Sequence, residues 1–286
     1  MRLSQRFANI ITSPDKQDAA AVVVAPKGYG KSYTCLNIAW ATAVEITEIM
    51  GGRWEDYFPI DREKKTLPTV GVIEKEAILR VLDILEPHQI AVLDDVGVAL
   101  NARTWMDKSN ILVNDIMEMM RIDETLTLMS VMSQDYIDKV PREIAPFFIE
   151  IVAKNHAAGY NILKVHENKK HFRMGRMFYP YLKQGRDRVL RYVCMAPPIE
   201  IAQIYDKMRK EATARSKRQR IDAYLSRKDN PERLTNREKN WRDLVTRYGA
   251  KVRELSSQGL TPYKISQQLP VGRSAVEGIL KRLEAQ

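Results

Sequence analysis

Lys31 and Ser32 close a short glycine-bearing loop that follows an apolar run of the sequence. The run is Ala21-Val-Val-Val, and residues 25–30 read Ala-Pro-Lys-Gly-Tyr-Gly. This order matches the phosphate-binding pattern G-x-x-x-x-G-K-[ST], with Ala25 at the first glycine position. Glycines let such a loop curve so that its backbone N–H groups point at an anion, and the N-terminus of the next helix attracts negative charge. The pattern predicts that Lys31 reaches the β- and γ-phosphates of ATP and that Ser32 ligates Mg²⁺.

The residues expected to contact the nucleotide lie in this loop and in the first turn of the helix after it. The alternative is a glycine turn between a strand and a helix, with an incidental lysine. The order of strand, loop and helix is the context that phosphate binding requires, so it favours the first interpretation. The expected set is Ala25, Pro26, Lys27, Gly28, Tyr29, Gly30, Lys31, Ser32 and Tyr33.

Two adjacent acids follow a second apolar run, Ile90-Ala-Val-Leu, and they match a Walker B strand. Asp94 is expected to hold the Mg²⁺ shell, and Asp95 stands where many ATPases place a glutamate that polarises the attacking water. Aspartate is one methylene shorter, so the water must lie closer or be held by another group. The alternative is a buried strand that ends in an Asp-Asp turn, and the phosphate-binding loop upstream favours the catalytic interpretation.

Gln134 follows the predicted strand Leu126–Met132. A polar side chain at the carboxyl end of a strand beside Walker B is well placed to sense the γ-phosphate. A polar cap on the strand is the alternative.

Composition restricts the class of protein. The chain has 286 residues, which allows one large domain and a small one, and 44% are hydrophobic, which is enough for a globular core. No apolar run approaches the roughly 20 residues that span a bilayer, and the N-terminus lacks the apolar stretch of a signal peptide. Cys35 and Cys194 lie far apart and give no disulfide framework, so a reducing cytoplasm is the expected location.

The charge is concentrated near the C-terminus. Residues 1–195 hold 26 Lys and Arg against 25 Asp and Glu, whereas residues 196–286 hold 20 against 11. A nearly neutral body therefore carries a basic region with a net charge of +9. Nucleic acid is the expected partner of such a region. The alternative is a solvated helix rich in Lys and Arg.

Strands alternate with helices behind the phosphate-binding loop, so we expect an α/β P-loop NTPase fold with a mainly parallel sheet and helices on both faces. Ligand should lie at the carboxyl ends of the strands. Pro197-Pro198 ends this domain at residues 1–198. A basic helical linker over 199–236 and a small all-α domain over 237–286 are expected to follow.

The last 28 residues predict two short helices joined by a tight turn, which is the order of a helix-turn-helix. Thr261 and Pro262 begin the first helix, Pro270-Val-Gly272 forms the break, and Arg273 begins the second. A helical hairpin for protein contacts is the alternative. The residues expected to face DNA are Arg273, Ser274, Glu277, Lys281 and Arg282.

Four features together resemble the HerA/FtsK superfamily of DNA-pumping ATPases, in particular its compact archaeal, viral and mobile-element members. They are the phosphate-binding loop, the Asp94-Asp95 pair, a segment from Arg103-x-Trp105 into Ser109-Asn110-x-x-x-Asn114, and Gln134. The resemblance covers about residues 18–210. Ala25 and Asp95 depart from the glycine and glutamate of the pattern.

The resemblance implies an Mg²⁺-dependent ATPase that forms a ring, such as a hexamer, with each site completed by a neighbour's arginine. Arg142 and Arg121 are the candidates for that arginine. DNA translocation, packaging or mobilisation fits, together with viral or mobile-element partner proteins. Two alternatives stay open: an AAA-type regulator that loads a transposition or replication partner, and a nucleotide-dependent DNA-binding switch with little turnover.

Overall fold

The computed structural model describes residues 2–99, 115, 124–133, 145–155, 159–167, 169–171, 176–178, 180–184, 188–229 and 236–283. Several residues of the sequence analysis lie outside these ranges. They are Arg103, Trp105, Ser109, Asn110, Asn114, Arg121, Gln134 and Arg142.

The described strands are β1 Ala19–Val24, β2 Val70–Val72, β3 Ile90–Asp94, β4 Leu126–Val131, β5 Phe147–Asn155, β6 Tyr160–Glu167, β7 Lys169–His171, β8 Arg176–Phe178, β9 Lys183–Gln184, β10 Arg188–Val189 and β11 Arg191–Met195. The described helices are α1 Leu3–Ile11, α2 Lys31–Met50, α3 Trp54–Tyr57, α4 Lys75–Ile84, α5 Val96–Ala99, α6 Ile199–Asp229, α7 Asn236–Ser257, α8 Pro262–Gln268 and α9 Arg273–Leu283.

Seven strands form one sheet in the order β11-β6-β5-β1-β4-β3-β2. Strands β2, β3, β4, β1 and β5 pair in parallel, which confirms the expected mostly parallel sheet. Strand β6 runs antiparallel to both β5 and β11. The Gly159 turn between β5 and β6 is evident in the sequence, but the expected sheet did not specify antiparallel pairing on this side. Only four residues connect β5 to β6, whereas a parallel pair needs a crossover of a dozen residues or more. Several short elements were not predicted either: the strand β2, the helix α3 and the two-stranded sheets β7–β8 and β9–β10.

The central strands bury both faces, and their side chains alternate between two hydrophobic clusters. In β1, Ala19, Ala21 and Val23 belong to one cluster, whereas Ala20 and Val22 belong to the other. Helices α1, α2 and α6 contribute to the first cluster and α4 to the second. Helices therefore cover both faces of the sheet, as an alternating α/β sequence requires.

Helix α6 begins within the same body as the sheet. Ile201 and Tyr205 are fully buried in the first cluster, and Ala212 is 3% exposed there. The chain accordingly divides into two compact units, Met1–Arg218 and Gln219–Gln286. The boundary lies inside α6 rather than at Pro198, because the buried side of this helix supplies part of the core.

The second compact unit has its own small core. Val252 and Leu255 of α7 pack with Ile265 of α8 and with Val276 and Ile279 of α9. Gly278 permits this packing, since a Cβ there would stand 2.3 Å from the Trp241 ring. Helices α7, α8 and α9 therefore share this core. Among the described residues, no helix is long and apolar enough to cross a membrane.

Candidate functional site

The loop between β1 and α2 has the curvature that the sequence predicted. Gly28 has φ of 88° and Gly30 has φ of 78°, a backbone region that is unfavourable for residues with a Cβ. Helix α2 begins directly afterwards at Lys31. The first N–H groups of a helix have no intrahelical acceptor, so this turn offers donors and partial positive charge to an anion.

Residues of the β5–β6 hairpin support the loop from the side. The Asn161 amide donates to Tyr29 O at 3.2 Å and to Thr34 Oγ1 at 2.9 Å, so it joins the loop to the first turn of α2. Lys154 Nζ donates to Gly28 O at 3.3 Å. A Cβ on Gly30 would stand only 3.2 Å from Asn161 Nδ2. A side chain at position 30 would therefore have to displace the Asn161 amide as well as adopt an unfavourable φ.

The Lys31 side chain folds back over the loop. It is 7% exposed, and its ammonium donates to Pro26 O at 3.2 Å. Among the described residues this is its single hydrogen bond, so the ammonium has donors left for a ligand. Burial lowers the pKa of Lys31, and the nearby carboxylates of Asp95 and Asp94 act in the opposite direction.

Asp94 lies at the centre of a buried hydrogen-bond network. Its side chain is fully buried, and its Oδ1 accepts from Ser32 Oγ at 2.7 Å and from Ser130 Oγ at 2.5 Å. The backbone N–H of Asp95 donates to Ser130 Oγ at 3.0 Å. Ser32 of the loop and Asp94 of β3 are thus in direct contact, and Ser130 of β4 donates to the same carboxylate oxygen.

Asp95 lies at the mouth of this network, on the first residue after β3. Its φ is 52°, a left-handed conformation that aspartate tolerates better than most residues. Burial and the neighbouring Asp94 raise the pKa of Asp95, whereas Arg209 and Lys31 oppose this rise. A carboxyl group with a raised pKa is better suited to accept a proton than an ordinary surface aspartate.

Helix α6 contributes two further side chains that the sequence analysis missed. The Tyr205 hydroxyl donates to Asp94 Oδ2. Arg209, one turn later, donates from Nη2 to Asp95 Oδ2 at 2.9 Å and from Nη1 to Ser32 Oγ at 3.2 Å. Burial and the carboxylate of Asp94 raise the pKa of Tyr205, so its hydroxyl stays protonated. The i, i+4 spacing on one helix face is the only sequence signal for this pair.

The side chains present fit a magnesium–nucleotide complex. A serine hydroxyl and a buried carboxylate are hard oxygen donors, the type that Mg²⁺ prefers. Among the described residues, no group of three or more His, Cys, Asp or Glu could hold a metal ion by itself. Such a sparse donor set suits Mg²⁺, which keeps several waters and takes further oxygens from substrate phosphates.

The structure therefore brings together four of the predicted site residues at the carboxyl ends of β1 and β3: Lys31, Ser32, Asp94 and Asp95. Tyr29 is partly exposed beside the loop, and the Tyr33 hydroxyl donates to Asp206 at 2.8 Å. Gln134 and Arg142 lie outside the described residues. Ser130, Asn161, Tyr205 and Arg209 were not predicted, because each contacts the site across at least 100 residues of sequence or from a neighbouring strand.

The residues expected to face DNA lie in the second compact unit, where all five are exposed on α9. Arg273 Nε donates to Glu277 Oε1 at 2.7 Å. At 100° per residue, Arg273, Ser274, Glu277 and Lys281 fall within about one quarter of the helix circumference. Arg282 lies outside that arc, and its guanidinium stacks 4.3 Å from the centroid of the Trp241 ring. The five predicted residues therefore do not form a single surface.

No protein-family model and no curated protein matches this chain. Solved structures to which the chain is similar include the N-terminal domain of zonular occludens toxin from Neisseria meningitidis, at 11% identity and a TM-score of 0.33, covering 59% of this chain and 96% of that one.

A second similar structure is the genome packaging NTPase of Sulfolobus turreted icosahedral virus 2, solved in complex with AMPPCP. It has 10% identity and a TM-score of 0.35, and the match covers 58% of this chain and 99% of that one. A KaiC-like protein of Pyrococcus horikoshii has 14% identity and a TM-score of 0.30, covering 65% of this chain and 92% of that one. At these TM-scores the likenesses carry no conclusion about the function of this chain.

Proposed function

We propose that this protein is an Mg²⁺-dependent ATPase that acts on DNA. The observation that supports ATP hydrolysis is the convergence of Lys31, Ser32, Asp94 and Asp95 at the carboxyl edge of the sheet, where ligands of open α/β sheets bind. Lys31 provides a cation to the phosphate chain, and the first turn of α2 provides backbone donors. Ser32 and Asp94 would hold Mg²⁺, which neutralises charge on the phosphate oxygens when it is bound.

Asp95 is the residue of the site that would accept a proton from the attacking water. It lies beside Lys31 and Asp94, and its raised pKa suits this role. Its carboxylate is also held by Arg209 at 2.9 Å, so the ion pair must rearrange before Asp95 can act. Gln134 is proposed to sense the γ-phosphate from the strand that follows Walker B.

The DNA part of the proposal rests on the basic C-terminal region. Residues 219–286 hold 14 Lys and Arg against 8 Asp and Glu, a net charge of +6 on a small helical unit. Positive charge of this density attracts the phosphate backbone. We assign α8, the turn and α9 as a helix-turn-helix that binds DNA, with Arg273, Ser274, Glu277 and Lys281 as its exposed face.

A motor of the HerA/FtsK type is the preferred form of this function, working as a homo-oligomeric ring in the cytoplasm. The proposed division is an ATPase domain over Met1–Arg218 and a C-terminal unit over Gln219–Gln286 that carries the helix-turn-helix. A non-translocating loader and a low-turnover switch are the other forms. The Arg209–Asp95 ion pair specifically favours the switch as the second candidate, because it holds the proposed base in a paired state.

ATP hydrolysis by the full chain tests the enzymatic assignment. Lys31→Ala should abolish turnover and weaken nucleotide binding, because the ammonium next to the phosphates is lost. Lys64→Ala is the matched control, since Lys64 is exposed and pairs with Asp61. Parental turnover in Lys31→Ala would refute the assignment of the phosphate-binding loop.

DNA-dependent assays on the same protein separate the three forms. DNA-stimulated turnover with directional displacement of a bound strand identifies a motor. Stimulated turnover without displacement identifies a loader. Tight ATP binding with almost no turnover, with or without DNA, identifies a switch.

A further inference from the structure

Helix α6 reaches the candidate ATP site with two side chains one turn apart. Tyr205 is fully buried, and its hydroxyl contacts Asp94, so it fixes this part of the helix against the Walker B strand. Arg209 is different, because 42% of its side chain is exposed at the mouth of the site. The helix is therefore anchored by the tyrosine, whereas the guanidinium lies where solvent and ligand can reach it.

The guanidinium of Arg209 lies among the groups that define the ATP site. It is 2.9 Å from Asp95 Oδ2, 3.2 Å from Ser32 Oγ and 3.9 Å from Asp94 Oδ2. Among the described residues, no other arginine contacts any of these three side chains. A guanidinium carries five N–H donors in a planar fork that matches phosphate oxygens, and it stays charged at all relevant pH values.

A bound Mg²⁺–ATP complex changes the charge balance around this guanidinium. Ser32 is the proposed Mg²⁺ ligand, and a divalent cation at its Oγ would repel the guanidinium that lies 3.2 Å from the same atom. The terminal phosphate brings more negative charge than the single carboxylate of Asp95, and charge-assisted bonds to phosphate are among the strong hydrogen bonds. The terminal phosphate is therefore the stronger acceptor, and the guanidinium is expected to move from Ser32 and Asp95 to donate to it.

On the basis of the proposed function, we propose that Arg209 is the arginine of this ATP site and that the same chain supplies it. Without nucleotide it pairs with Asp95 and keeps the proposed base occupied. With ATP it donates to the terminal phosphate, which releases Asp95 to the attacking water. Tyr205 is a positioning residue, because it holds α6 at the distance from which Arg209 reaches the site. Completion of the site by a neighbour's arginine is then not required.

Nucleotide binding by the full chain tests the contact with the terminal phosphate. The probes are ADP and a non-hydrolysable ATP analogue, each titrated calorimetrically with Mg²⁺. In Arg209→Ala the affinity for the analogue should fall about tenfold or more, the loss expected for one charge-assisted hydrogen bond, while the affinity for ADP stays within about twofold of the parent. Arg209→Lys, which keeps the charge but not the fork, should give a smaller loss for the analogue.

Arg215→Ala is the matched control, because Arg215 lies on the same helix and pairs with Glu74 at 3.2 Å instead of with the site. It should leave both affinities unchanged. ADP binding also reports that Arg209→Ala is folded. Equal changes in the affinities for ADP and the analogue, or no change in either, would overturn the proposal. A parent chain that binds neither nucleotide would instead refute the proposed function.

Mixing Lys31→Ala with Arg209→Ala tests whether the arginine acts within its own chain, with the turnover of Arg209→Ala alone as the baseline. Lys31→Ala retains Arg209, so in a mixed assembly it could donate that arginine to a neighbouring Arg209→Ala site if the residue acted between subunits. We expect no recovery of ATP hydrolysis in the mixture. Recovery to a substantial fraction of the parental rate would show that Arg209 acts on a neighbour, and the proposal would be wrong.

Discussion

The two compact units present their charged side chains in opposite ways. In Met1–Arg218 the candidate site keeps Asp94 fully buried and Lys31 only 7% exposed, and side chains of three other elements donate hydrogen bonds to Asp94. In Gln219–Gln286 the candidate DNA contacts are exposed on α9, and their partners lie on the same helix or on a single ring. Buried charges interact strongly and are little screened by salt, whereas exposed charges act weakly and additively. Single substitutions should therefore have large effects in the first unit and small effects in the second.

Asp95→Asn should give the largest effect among the substitutions that leave the fold intact. Asparagine keeps the size of the side chain but accepts no proton, so ATP should still bind while turnover falls by roughly a hundredfold or more. Single-turnover hydrolysis and nucleotide titration on the same sample separate the two quantities. Asp83→Asn, an exposed acid on α4, serves as the control. Equal rates for Asp95→Asn and the parent would place the base elsewhere and weaken the contrast between the units.

Removal of the whole second unit should change DNA binding more than any single substitution within it. A chain that ends at Arg218 loses +6 of the +10 net charge but keeps the buried part of α6. Affinity for DNA should fall sharply and become less dependent on salt, since each neutralised phosphate contributes about 0.9 to the slope of log affinity against log salt. A salt titration of both chains measures this.

ATP binding by the shortened chain is the control for its fold. Affinities and slopes that do not differ between the two chains would mean that the body holds the DNA. The contrast of charge between the units would then have no bearing on DNA binding. A chain cut after Pro198 is not a suitable comparison, because it would lose Ile201 and Tyr205 from the core.

Asn161→Asp should show that the buried site depends on support from outside the motifs. The variant keeps the shape of the side chain but loses the amide donor to Tyr29 O and Thr34 Oγ1. An unsatisfied buried carbonyl costs about 1–3 kcal/mol, so the free energy of unfolding should fall by that order and ATP affinity by up to about tenfold. Chemical denaturation and nucleotide titration check both. Parental stability and affinity would mean that the loop holds its shape unaided.

The same contrast explains what the sequence could predict. Lys31, Ser32, Asp94 and Asp95 were identified because their chemistry is tied to local patterns, a glycine loop and the end of an apolar strand. The mostly parallel sheet followed from the alternation of strands and helices along the chain. The order of residues within short stretches of the sequence was therefore sufficient to predict these features.

Contacts between distant segments could not be read from the sequence. Asn161 reaches the loop because the β5–β6 hairpin lies beside it. Gly159 indicates a turn between the two strands, but no local pattern places their hairpin next to the phosphate-binding loop. Tyr205 and Arg209 lie on a helix that was interpreted as a basic linker, because its apolar side is short and its average composition is polar. Their role depends on where α6 packs against the sheet, and long-range packing alone decides that.

Substitutions on α9 should have the smallest effects. They should also distinguish residues that lie on different sides of this helix. Arg273 and Lys281 lie on the same exposed arc, so Arg273→Ala and Lys281→Ala should each weaken specific DNA binding by roughly 1–3 kcal/mol if they meet base edges. The Arg273 loss should lie at the lower end, because the arginine must first give up its ion pair with Glu277. Binding to a specific and a scrambled duplex at one salt concentration separates the loss of specific affinity from the loss of nonspecific affinity.

Arg282→Ala is the matched comparison on the same helix. Its guanidinium covers the Trp241 ring and donates to Gly278 O at 3.3 Å, so it is occupied within its own unit. Its removal should lower the thermal stability of the helical unit slightly, by the order of 0.5–1 kcal/mol for an exposed cation–π contact. DNA affinity should change by no more than the loss of one nonspecific charge. A larger loss of DNA affinity in Arg282→Ala than in Lys281→Ala would show that the Trp241 side of α9, and not the Arg273–Lys281 arc, faces the DNA.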